Sequence, residues 1–468
     1  MRFEDENGII YLKLTQKIDE DLGMKVQRKQ YLEELQHRMH NGLVKIITGI
    51  RRSGKSYLLS VLFREYLLGE GVDESHIIEV PLDKDEFRDY RDAIALGDYV
   101  RSRLVNDGKW HYVFIDEVQW ARKILPKGVD LKRLAPEDRD EAYITFYDTL
   151  NGLRQMKNVD VYATGSNSKT LSSDIDTNFA DRSSQIRMHP FSFAEYCEAT
   201  RAEDKLAAFD QYLVWGGMPL AVAETDERLR ADYLRKLYSE VYINDIRKRN
   251  RLRDDYVLSC LIDVVSSATG SLTNPHKLVD TLRSTLKVET SDVTIAKYLS
   301  CLKDAFLFSE AKRWDVKGKR YFDYPMKYYA EDTGLRNARL DFRDVDPSHA
   351  MENAIYNELV RRGCTVDVGV VPVVTVNSEG RQELRYHEID FVVNRAPGKL
   401  YIQSAYSMPS QEKMDQELLP LRRSGDFFRK MVVTSGYSSP RVSDEGIVYV
   451  GVIPFLLDPS ILDNALKE

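Results

Sequence analysis

The fold of this 468-residue chain is decided by the stretch Gly49-Ile50-Arg51-Arg52-Ser53-Gly54-Lys55-Ser56. The β-branched run Leu43-Val44-Lys45-Ile46-Ile47-Thr48 precedes it, and an apolar stretch from Tyr57 to Leu68 follows it. These segments predict a strand, a loop and a helix, and the loop matches the spacing G-x-x-x-x-G-K-[ST] of phosphate-binding loops. The pattern therefore predicts a nucleotide site in a parallel α/β sheet.

The residue types explain how such a loop binds phosphate. Gly49 and Gly54 let the backbone curl so that its N–H groups face an anion, and the helix that follows presents its positive end to the same anion. Lys55 is expected to contact the β- and γ-phosphates of ATP, and the Ser56 hydroxyl to ligate Mg²⁺. The predicted nucleotide-binding residues are Gly49, Arg51, Arg52, Ser53, Gly54, Lys55, Ser56 and Tyr57.

A second strand, Tyr112-Val113-Phe114-Ile115-Asp116-Glu117, ends in two carboxylates. In a parallel sheet its carboxyl end lies beside the phosphate loop. We expect Asp116 to hold Mg²⁺, and Glu117 to orient or deprotonate the attacking water.

A third strand, Val159 to Thr164, runs into Gly165-Ser166-Asn167-Ser168. Asn167 is the first candidate for a polar group that senses the γ-phosphate, and Ser166 is the second. A plain exit from strand to turn is the alternative. Two further strands are predicted at His76 to Leu82 and Ser184 to Met188, with helices between the strands.

With these residues the sequence resembles the AAA-type P-loop ATPases, in particular a prokaryotic group in which the ATPase precedes a domain of unknown function. The resemblance extends more weakly to about residue 450. It rests on the phosphate loop and on four further motifs, which are Ile115-Asp116-Glu117-Val118-Gln119, Thr164-Gly165-Ser166-Asn167-Ser168, Pro190-Phe191-Ser192-Phe193-Ala194-Glu195-Tyr196 and Gly216-Gly217-Met218-Pro219.

The resemblance also implies an arginine that stabilises transition-state charge, placed just before the Pro-Phe-Ser-Phe segment. Arg182 stands there, although the group usually has Gly where this chain has Asp181. Arg187 is a second candidate, and a structural surface arginine is the alternative. An arginine acting in trans requires a neighbouring subunit, so the chain is a candidate homo-oligomer.

Composition excludes several classes of protein. Lys+Arg number 67 against 74 Asp+Glu, a net charge of −7, which excludes a globally basic nucleic-acid binder. Four scattered cysteines without C-x-x-C spacing make a disulfide framework or a zinc cluster improbable. The acidic start and the absence of a long apolar run predict a cytoplasmic protein with no membrane partner.

We predict four segments along the chain. They are an ATPase core at 1–192, a helical lid at 193–255, a winged helix-turn-helix at 256–345 and an α+β domain resembling the restriction-endonuclease core at 346–468. The charged insertion from Trp120 to Tyr143 is either a partner-contacting loop or a solvated excursion. The basic run from Asp245 to Arg253 is either a phosphate contact or a helix end whose charges complement the dipole.

The winged-helix pattern consists of three helices and a two-stranded wing. The helices are Tyr256 to Ala268, Asn274 to Leu286 and one capped by Ser291-Asp292, and the wing strands are Leu307 to Trp314 and Lys319 to Tyr324. Basic residues on the wing suit DNA, but the third helix offers only Thr294 and Lys297 as polar readers. Protein binding is therefore the alternative for this module. The basic wing residues are Lys312, Arg313, Lys317, Lys319 and Arg320.

The C-terminal segment resembles a nuclease core whose centre is incomplete. Glu352 on a helix and Asp390 on a strand match its acids, but Gln403 and Ala405 stand where E-x-K is expected. A neutral amide is a poor Mg²⁺ ligand and Ala cannot replace an ammonium, so we expect no nuclease activity. We expect the core to serve as a binding scaffold for nucleic acid or protein. Its basic residues are Lys413, Arg422, Arg423, Arg429, Lys430 and Arg441.

Together these observations predict a Mg²⁺-dependent ATPase coupled to a C-terminal DNA- or protein-binding module. The alternative is a nucleotide-gated regulatory or DNA-binding protein with negligible turnover.

Overall fold

The computed structural model describes residues 25–126, 128–135, 138–139, 141–165, 179, 181–250, 252, 255–343, 345–376, 381–396 and 398–467. The chain forms two compact units. The first contains the residues up to His189 together with Asp304–Phe306, and the second contains Pro190–Lys303 and the chain from Leu307 onward.

The first unit is built on a five-stranded parallel sheet with the strand order β2-β3-β4-β1-β5. Its central strands are apolar runs buried on both faces, as parallel strands covered by helices are. The strands are β1 Val44–Thr48, β2 Ile77–Pro81, β3 His111–Asp116, β4 Val159–Thr164 and β5 Ser183–Arg187. The predicted parallel α/β sheet is therefore confirmed.

Helices and short turns connect these strands. The helices are α1 Lys29–Arg38, α2 Lys55–Tyr57, α3 Arg64–Gly69, α4 Ala93–Arg103 and α5 Phe146–Arg154, with a π-helical segment Leu58–Phe63 between α2 and α3. Short 3₁₀ turns lie at Glu74–His76, Asp85–Arg91, Val118–Trp120 and Leu131–Arg133. Asp92 caps α4 and a Thr145/Asp148 capping box begins α5, so both helices start where the sequence supplies an oxygen for the free N–H groups.

A buried ion pair lies at the amino-terminal part of this sheet. The Lys45 ammonium on β1 pairs with the Asp160 carboxylate on β4, and both residues are almost fully buried. Tyr162 donates a further hydrogen bond to Asp160 at 2.7 Å. Because a buried charge without a partner is costly, this contact specifies β4 as the neighbour of β1.

The second unit begins with a run of helices. They are α6 Phe193–Thr200, α7 Lys205–Trp215, α8 Pro219–Ala223, α9 Glu227–Lys236 and α10 Asn244–Asn250, with a π-helical segment Leu237–Ile243 before α10. Ser192 and Glu195 form a capping box that begins α6. The helical pattern predicted after Phe193 is thus present.

The break at Gly216-Gly217 is explained by backbone packing. Gly216 has a φ of 72°, and a Cβ atom there would lie 2.2 Å from the Asp332 carboxylate. A Cβ on Gly217 would lie 2.1 Å from the Phe191 carbonyl oxygen. The buried Asp332 carboxylate accepts hydrogen bonds from the N–H groups of Gly217, at 2.6 Å, and Leu335, at 2.9 Å. Packing against Asp332 and Phe191 therefore explains why glycines occupy both positions of this motif.

Three more helices and a nine-stranded mixed sheet follow in this unit. The helices are α11 Asp255–Ser267, α12 Pro275–Leu286 and α13 Asp292–Asp304. The strands are β6 Leu272–Thr273, β7 Phe308–Asp315, β8 Arg320–Ala330, β9 Thr365–Val376, β10 Gln382–Arg395, β11 Gly398–Ala405, β12 Arg429–Thr434, β13 Arg441–Val442 and β14 Ile447–Gly451. Their order is β13-β14-β12-β11-β10-β9-β7-β8-β6.

The sheet crosses the segment boundary predicted at residue 345. Strand β7, from the winged-helix segment, pairs in parallel with β9 of the C-terminal segment, with Arg313 opposite Val368. The remaining helices are α14 Thr333–Arg339, α15 Pro347–Arg361, α16 Gln411–Arg422, α17 Val452–Leu457 and α18 Pro459–Lys467. The two segments thus share one sheet, and the division into four segments stays a prediction.

Two further observations concern the whole chain. All four cysteines are buried free thiols. Within the described ranges, no helix has both the length and the apolar character needed to cross a membrane.

Asp332 should give the protein a measurable dependence of stability on pH. Burial raises the pKa of Asp332 to about 6, against 3.8 for an ordinary Asp, although the backbone N–H groups partly oppose the shift. The folded state then binds more protons between these values, so this group lowers the free energy of unfolding as pH rises, by up to about 1.4 kcal/mol per pH unit.

Urea unfolding of wild type and Asp332→Asn from pH 4 to 6.5 tests this expectation. The variant should lack that part of the slope. Asp204→Asn, at an exposed helix N-cap where Asn serves equally well, is the control and should parallel the wild type. Equal slopes for wild type and Asp332→Asn would contradict the assignment.

Candidate nucleotide site

The phosphate loop connects β1 to α2 through residues with left-handed backbone conformation. Gly49, Arg52 and Gly54 have φ values of 140°, 63° and 98°. A Cβ atom on Gly49 would lie 2.0 Å from the Met188 carbonyl oxygen. The first glycine of the motif is therefore required both for its dihedral angle and for its close approach to the chain that follows β5.

Two polar side chains inside the loop suit a phosphate ligand. The Lys55 ammonium is buried and donates hydrogen bonds to the carbonyl oxygens of Gly49, at 3.0 Å, and Ile50, at 2.9 Å. The Ser53 hydroxyl is fully buried and has no hydrogen-bond partner among the described residues. A buried donor of this kind is costly unless an acceptor reaches it, and a phosphate oxygen is such an acceptor.

Arg51, Arg52 and Tyr57 are half-buried at the loop. Tyr57 packs against the apolar cluster of α1, β1 and the π-helical segment. Its position is therefore explained by packing, and its contact with the nucleotide stays a prediction.

Asp116 at the end of β3 lies within hydrogen-bond reach of two hydroxyl groups. The Thr164 hydroxyl at the end of β4 donates to Asp116 Oδ1, and the Ser56 hydroxyl also bonds this carboxylate. The Thr164 oxygen in turn accepts the Glu117 N–H at 3.0 Å. The structure thus brings the two predicted metal ligands, Ser56 and Asp116, together at one edge of the sheet.

The carboxylates at this edge influence one another. Burial raises the pKa of Asp116 to about 6, the charge of Glu117 and then that of Asp83 add to the rise, and the hydrogen bonds from Thr164 and Ser56 oppose it. Partial burial and then the charge of Glu117 raise the pKa of Asp83. The edge concentrates negative charge, which favours a divalent cation.

Glu117 is held in a specific conformation. Its backbone is left-handed, with a φ of 55°, and the Gln119 side-chain amide donates a hydrogen bond to its carboxylate. This amide controls where the predicted general base points.

Sequence reasoning missed three contributors to the site: Thr164, Asp83 and Gln119. Each follows the pattern that identified Asp116, a polar residue at or just after the carboxyl end of a predicted strand. Strand ends alone do not reveal which polar residue faces the loop, because that depends on which strands are neighbours.

The two candidate arginines lie near opposite ends of strand β5. Arg182 directly precedes β5, its side chain is 46% exposed, and its carbonyl oxygen accepts the Val44 N–H at the start of β1. Arg187 ends β5 opposite Thr48, next to the phosphate loop, and its guanidinium lies over the Phe306 ring at 5.0 Å. At about 3.3 Å per residue, β1 separates Arg182 from its own loop by roughly 15 Å, and the role of Arg182 as the catalytic arginine stays a prediction.

Asn167 and Ser166, the candidate γ-phosphate sensors, lie outside the described residues. The charged insertion after Trp120 is mostly exposed where it is described, with a bridge between Ile124 and Ile144 at its base.

Many basic residues of the candidate DNA surfaces already have acidic or other protein partners. Arg247 pairs with Asp255 at 2.6 Å and Arg320 with Asp315 at 3.7 Å. The Lys317 ammonium donates to the Pro372 carbonyl oxygen at 2.9 Å. These contacts reduce the charge available for phosphates.

The basic residues of α16 are neutralised in the same way. Arg422 pairs with Glu445, at 2.6 Å, and Asp415, at 2.8 Å, and Lys413 pairs with Glu417 at 2.7 Å. Two basic residues outside α16 also contact protein groups. The guanidinium of Arg441 on β13 lies over the Tyr449 ring, and the ammonium of Lys430 on β12 donates a hydrogen bond to the Asp426 carbonyl oxygen.

On the predicted third helix, Thr294 is hydrogen-bonded to Ser291, whereas Lys297 is exposed. The bonded Thr294 hydroxyl is less suited to reading a base, so Lys297 is the more accessible of the two predicted readers.

Comparison with known proteins places this geometry in a family. Residues 41–197 match a family model described as an AAA domain, and residues 206–346 match one described as a domain of unknown function. An uncharacterized protein of Haemophilus influenzae is 31% identical over 438 residues, which cover 92% of this chain and 98% of that protein. The chain belongs to the AAA-type P-loop family with a C-terminal domain of unknown function. The family predicted from the sequence is confirmed.

This AAA-type protein has more distant relatives. The uncharacterized protein MJ1544 of Methanocaldococcus jannaschii is 21% identical over 383 residues, covering 79% of this chain and 76% of that protein. Among solved structures, the Aeropyrum pernix ORC1 protein in complex with DNA is 12% identical with a TM-score of 0.24, covering 67% of this chain and 92% of that one. The C. elegans PCH-2 structure is 15% identical with a TM-score of 0.25, covering 57% of this chain and 62% of that one. Structural similarity at these scores does not bear on function.

The Thr164 hydroxyl should be required for metal-dependent nucleotide binding in this AAA-type protein. Thr164→Val keeps the shape but leaves the Glu117 N–H without its acceptor and Asp116 without one of its two hydroxyl donors, so we expect Mg²⁺-dependent ATP affinity to fall about tenfold or more. Thr164→Ser keeps the hydroxyl and should retain affinity. Titration of a fluorescent ATP analogue with and without Mg²⁺ measures this. Equal affinities for the Val and Ser variants would remove Thr164 from the site.

Proposed function

We propose that this AAA-type protein is a Mg²⁺-dependent ATPase whose hydrolysis is coupled to a C-terminal binding module. The observation that carries the proposal is the convergence of Ser56, Asp116 and Thr164 beside a phosphate loop that holds Lys55. The phosphate loop and the Asp116 carboxylate come from different parts of the chain. Their proximity at the carboxyl ends of the strands therefore supports a nucleotide-binding site.

Each residue of the site has a role that its chemistry allows. Lys55 would leave its carbonyl acceptors for the β- and γ-phosphates, and the loop N–H groups and the Ser53 hydroxyl would bind the remaining phosphate oxygens. Ser56 and Asp116 would hold Mg²⁺, which when bound neutralises charge on the β- and γ-phosphates. Glu117 would accept a proton from the attacking water, and Asn167 would contact the γ-phosphate.

Turnover in this proposal requires a second copy of the chain. Arg182 lies at the amino-terminal end of β5, away from its own phosphate loop, and is partly exposed. It would therefore reach the γ-phosphate of ATP bound to a neighbouring subunit. Resemblance to AAA-type ATPases gives the same expectation. The proposed assembly is therefore at least a dimer.

The C-terminal module would bind protein or DNA through its winged-helix and nuclease-like elements. Helices α11 to α13 and the β7–β8 hairpin support a winged-helix interpretation. The pairing of Arg320 on the wing, and of Lys413 and Arg422 on α16, with acids favours a protein partner over DNA. Filter binding to duplex DNA at low and high salt distinguishes the two, since a DNA partner requires salt-sensitive binding.

A second candidate function is a nucleotide-gated switch with negligible turnover. The hydrogen bond from Gln119 to Glu117 favours it, because a general base held by an amide is less able to take a proton. Steady-state phosphate release, measured with and without DNA, decides between this function and the ATPase.

Glu117→Gln should separate binding from hydrolysis. The variant keeps the shape of the side chain but cannot accept the proton, so we expect ATP to stay bound while phosphate release falls at least about 100-fold. Single-turnover assays with labelled ATP measure both quantities. Turnover at the wild-type rate would exclude Glu117 as the base.

Arg182→Ala should keep ATP affinity and abolish turnover. The matched control is Arg88→Ala, another exposed arginine of the same unit, which should behave as wild type. Mixing Arg182→Ala with Lys55→Ala subunits should restore part of the activity, because an intact loop in one subunit meets an intact arginine from the other. Unchanged turnover of Arg182→Ala would remove it from the mechanism.

A further inference from the structure

The second unit contains an acidic centre in which a buried lysine lies among three carboxylates. Lys327 on β8 has a side chain only 4% exposed. Its Nζ lies 2.9 Å from Glu352 Oε1, 2.6 Å from Glu388 Oε1 and 3.6 Å from Asp390 Oδ1. Two of these acids, Glu352 and Asp390, are those that the sequence assigns to a nuclease-like centre.

Other protein donors also bond the carboxylates around this lysine. The Tyr329 hydroxyl donates to Glu352 Oε1 at 2.7 Å, and the Ser404 N–H donates to Asp390 Oδ2 at 2.9 Å. Gln403 stands where a metal-binding acid is expected, but its amide oxygen accepts the Asp390 N–H at 3.4 Å and its nitrogen donates to Glu417 at 2.9 Å. Both polar atoms of the Gln403 amide are thus hydrogen-bonded to neighbouring protein groups.

This arrangement does not fit the divalent metal that a nuclease-like core implies. A metal binds carboxylate oxygens at about 2.0 to 2.6 Å, so an ion shared by these acids would need the volume that Lys327 Nζ fills. No group of three or more His, Cys, Asp or Glu side chains within the described ranges is arranged to hold a metal ion. The disagreement has a specific cause, which is the position of one ammonium group.

We propose that the Lys327 ammonium takes the place of the divalent cation in this centre, so that the C-terminal domain keeps its nuclease-like scaffold without metal and without phosphodiester cleavage. The proposal is independent of ATP hydrolysis and relies only on the nuclease-like interpretation of this domain. One positive charge faces three acids. The ammonium therefore supplies positive charge where a metal ion shared by these acids would lie.

The test is a gain of metal binding. Lys327→Met removes the ammonium and keeps the length of the side chain, so it should create a site for one additional Mn²⁺ per chain. Full-length protein carrying Asp116→Asn, which disables the nucleotide-associated metal site, is titrated with Mn²⁺ and the bound ion is counted by electron paramagnetic resonance. The added site should disappear when Asp390→Asn is combined with Lys327→Met.

Lys312→Met, at an exposed lysine on the neighbouring strand β7, is the matched control and should gain no Mn²⁺. A folded Lys327→Met protein that binds no additional Mn²⁺ would overturn the proposal.

A comparison that does not depend on the Lys327 variant uses the parent protein itself. In the same Asp116→Asn background, chains with Asp390 intact and with Asp390→Asn should bind equal amounts of Mn²⁺. A Mn²⁺ ion lost on Asp390→Asn would show that metal and ammonium coexist, and would overturn the proposal. Wild-type protein incubated with supercoiled DNA and Mn²⁺ should leave the DNA intact. DNA cleavage by the wild type that Asp390→Asn abolishes would also overturn the proposal.

Discussion

The parallel register of β3, β4 and β1 is the constraint on which the nucleotide site depends. Thr164 lies opposite Ile47, and Ala163 lies between Ile46 and Ile115. This pairing brings the ends of three strands to one edge. Because side chains alternate between the faces of a sheet, a slip of one residue would point the Thr164 hydroxyl away from Asp116. The buried Lys45–Asp160 pair, further back on the same two strands, opposes such a slip.

The sequence predicted the parts of the fold and site that depend on local pattern. The strand before Gly49 and the one ending in Asp116 are mostly apolar runs, so both were predictable, as were Lys55 and Ser56 from motif spacing. Thr164 has no such signature, since its role follows from its neighbour across the sheet. The position of Lys327 among the acids could not be predicted from the sequence for the same reason. Lys327 belongs to β8, whereas the nuclease-like pattern places its lysine on β11.

A family motif without an evident chemical role also acquires a physical meaning. The Gly216-Gly217 pair accommodates the buried Asp332 carboxylate and the Phe191 carbonyl group. Sequence spacing could not reveal this, because Asp332 is distant along the chain. Such a motif can be recognisable across relatives through packing alone, without contact to any ligand.

The pairing of β7 with β9 has a mechanical consequence. A hairpin that resembles the wing of a recognition module is here hydrogen-bonded into a sheet that extends to β13. Hydrogen-bonded strands resist sliding, so a load applied at the β7–β8 hairpin would spread over the strands beyond it and would not bend a hinge near residue 345. The β7–β8 hairpin and the strands from β9 to β13 therefore form one continuous sheet that resists bending as a unit.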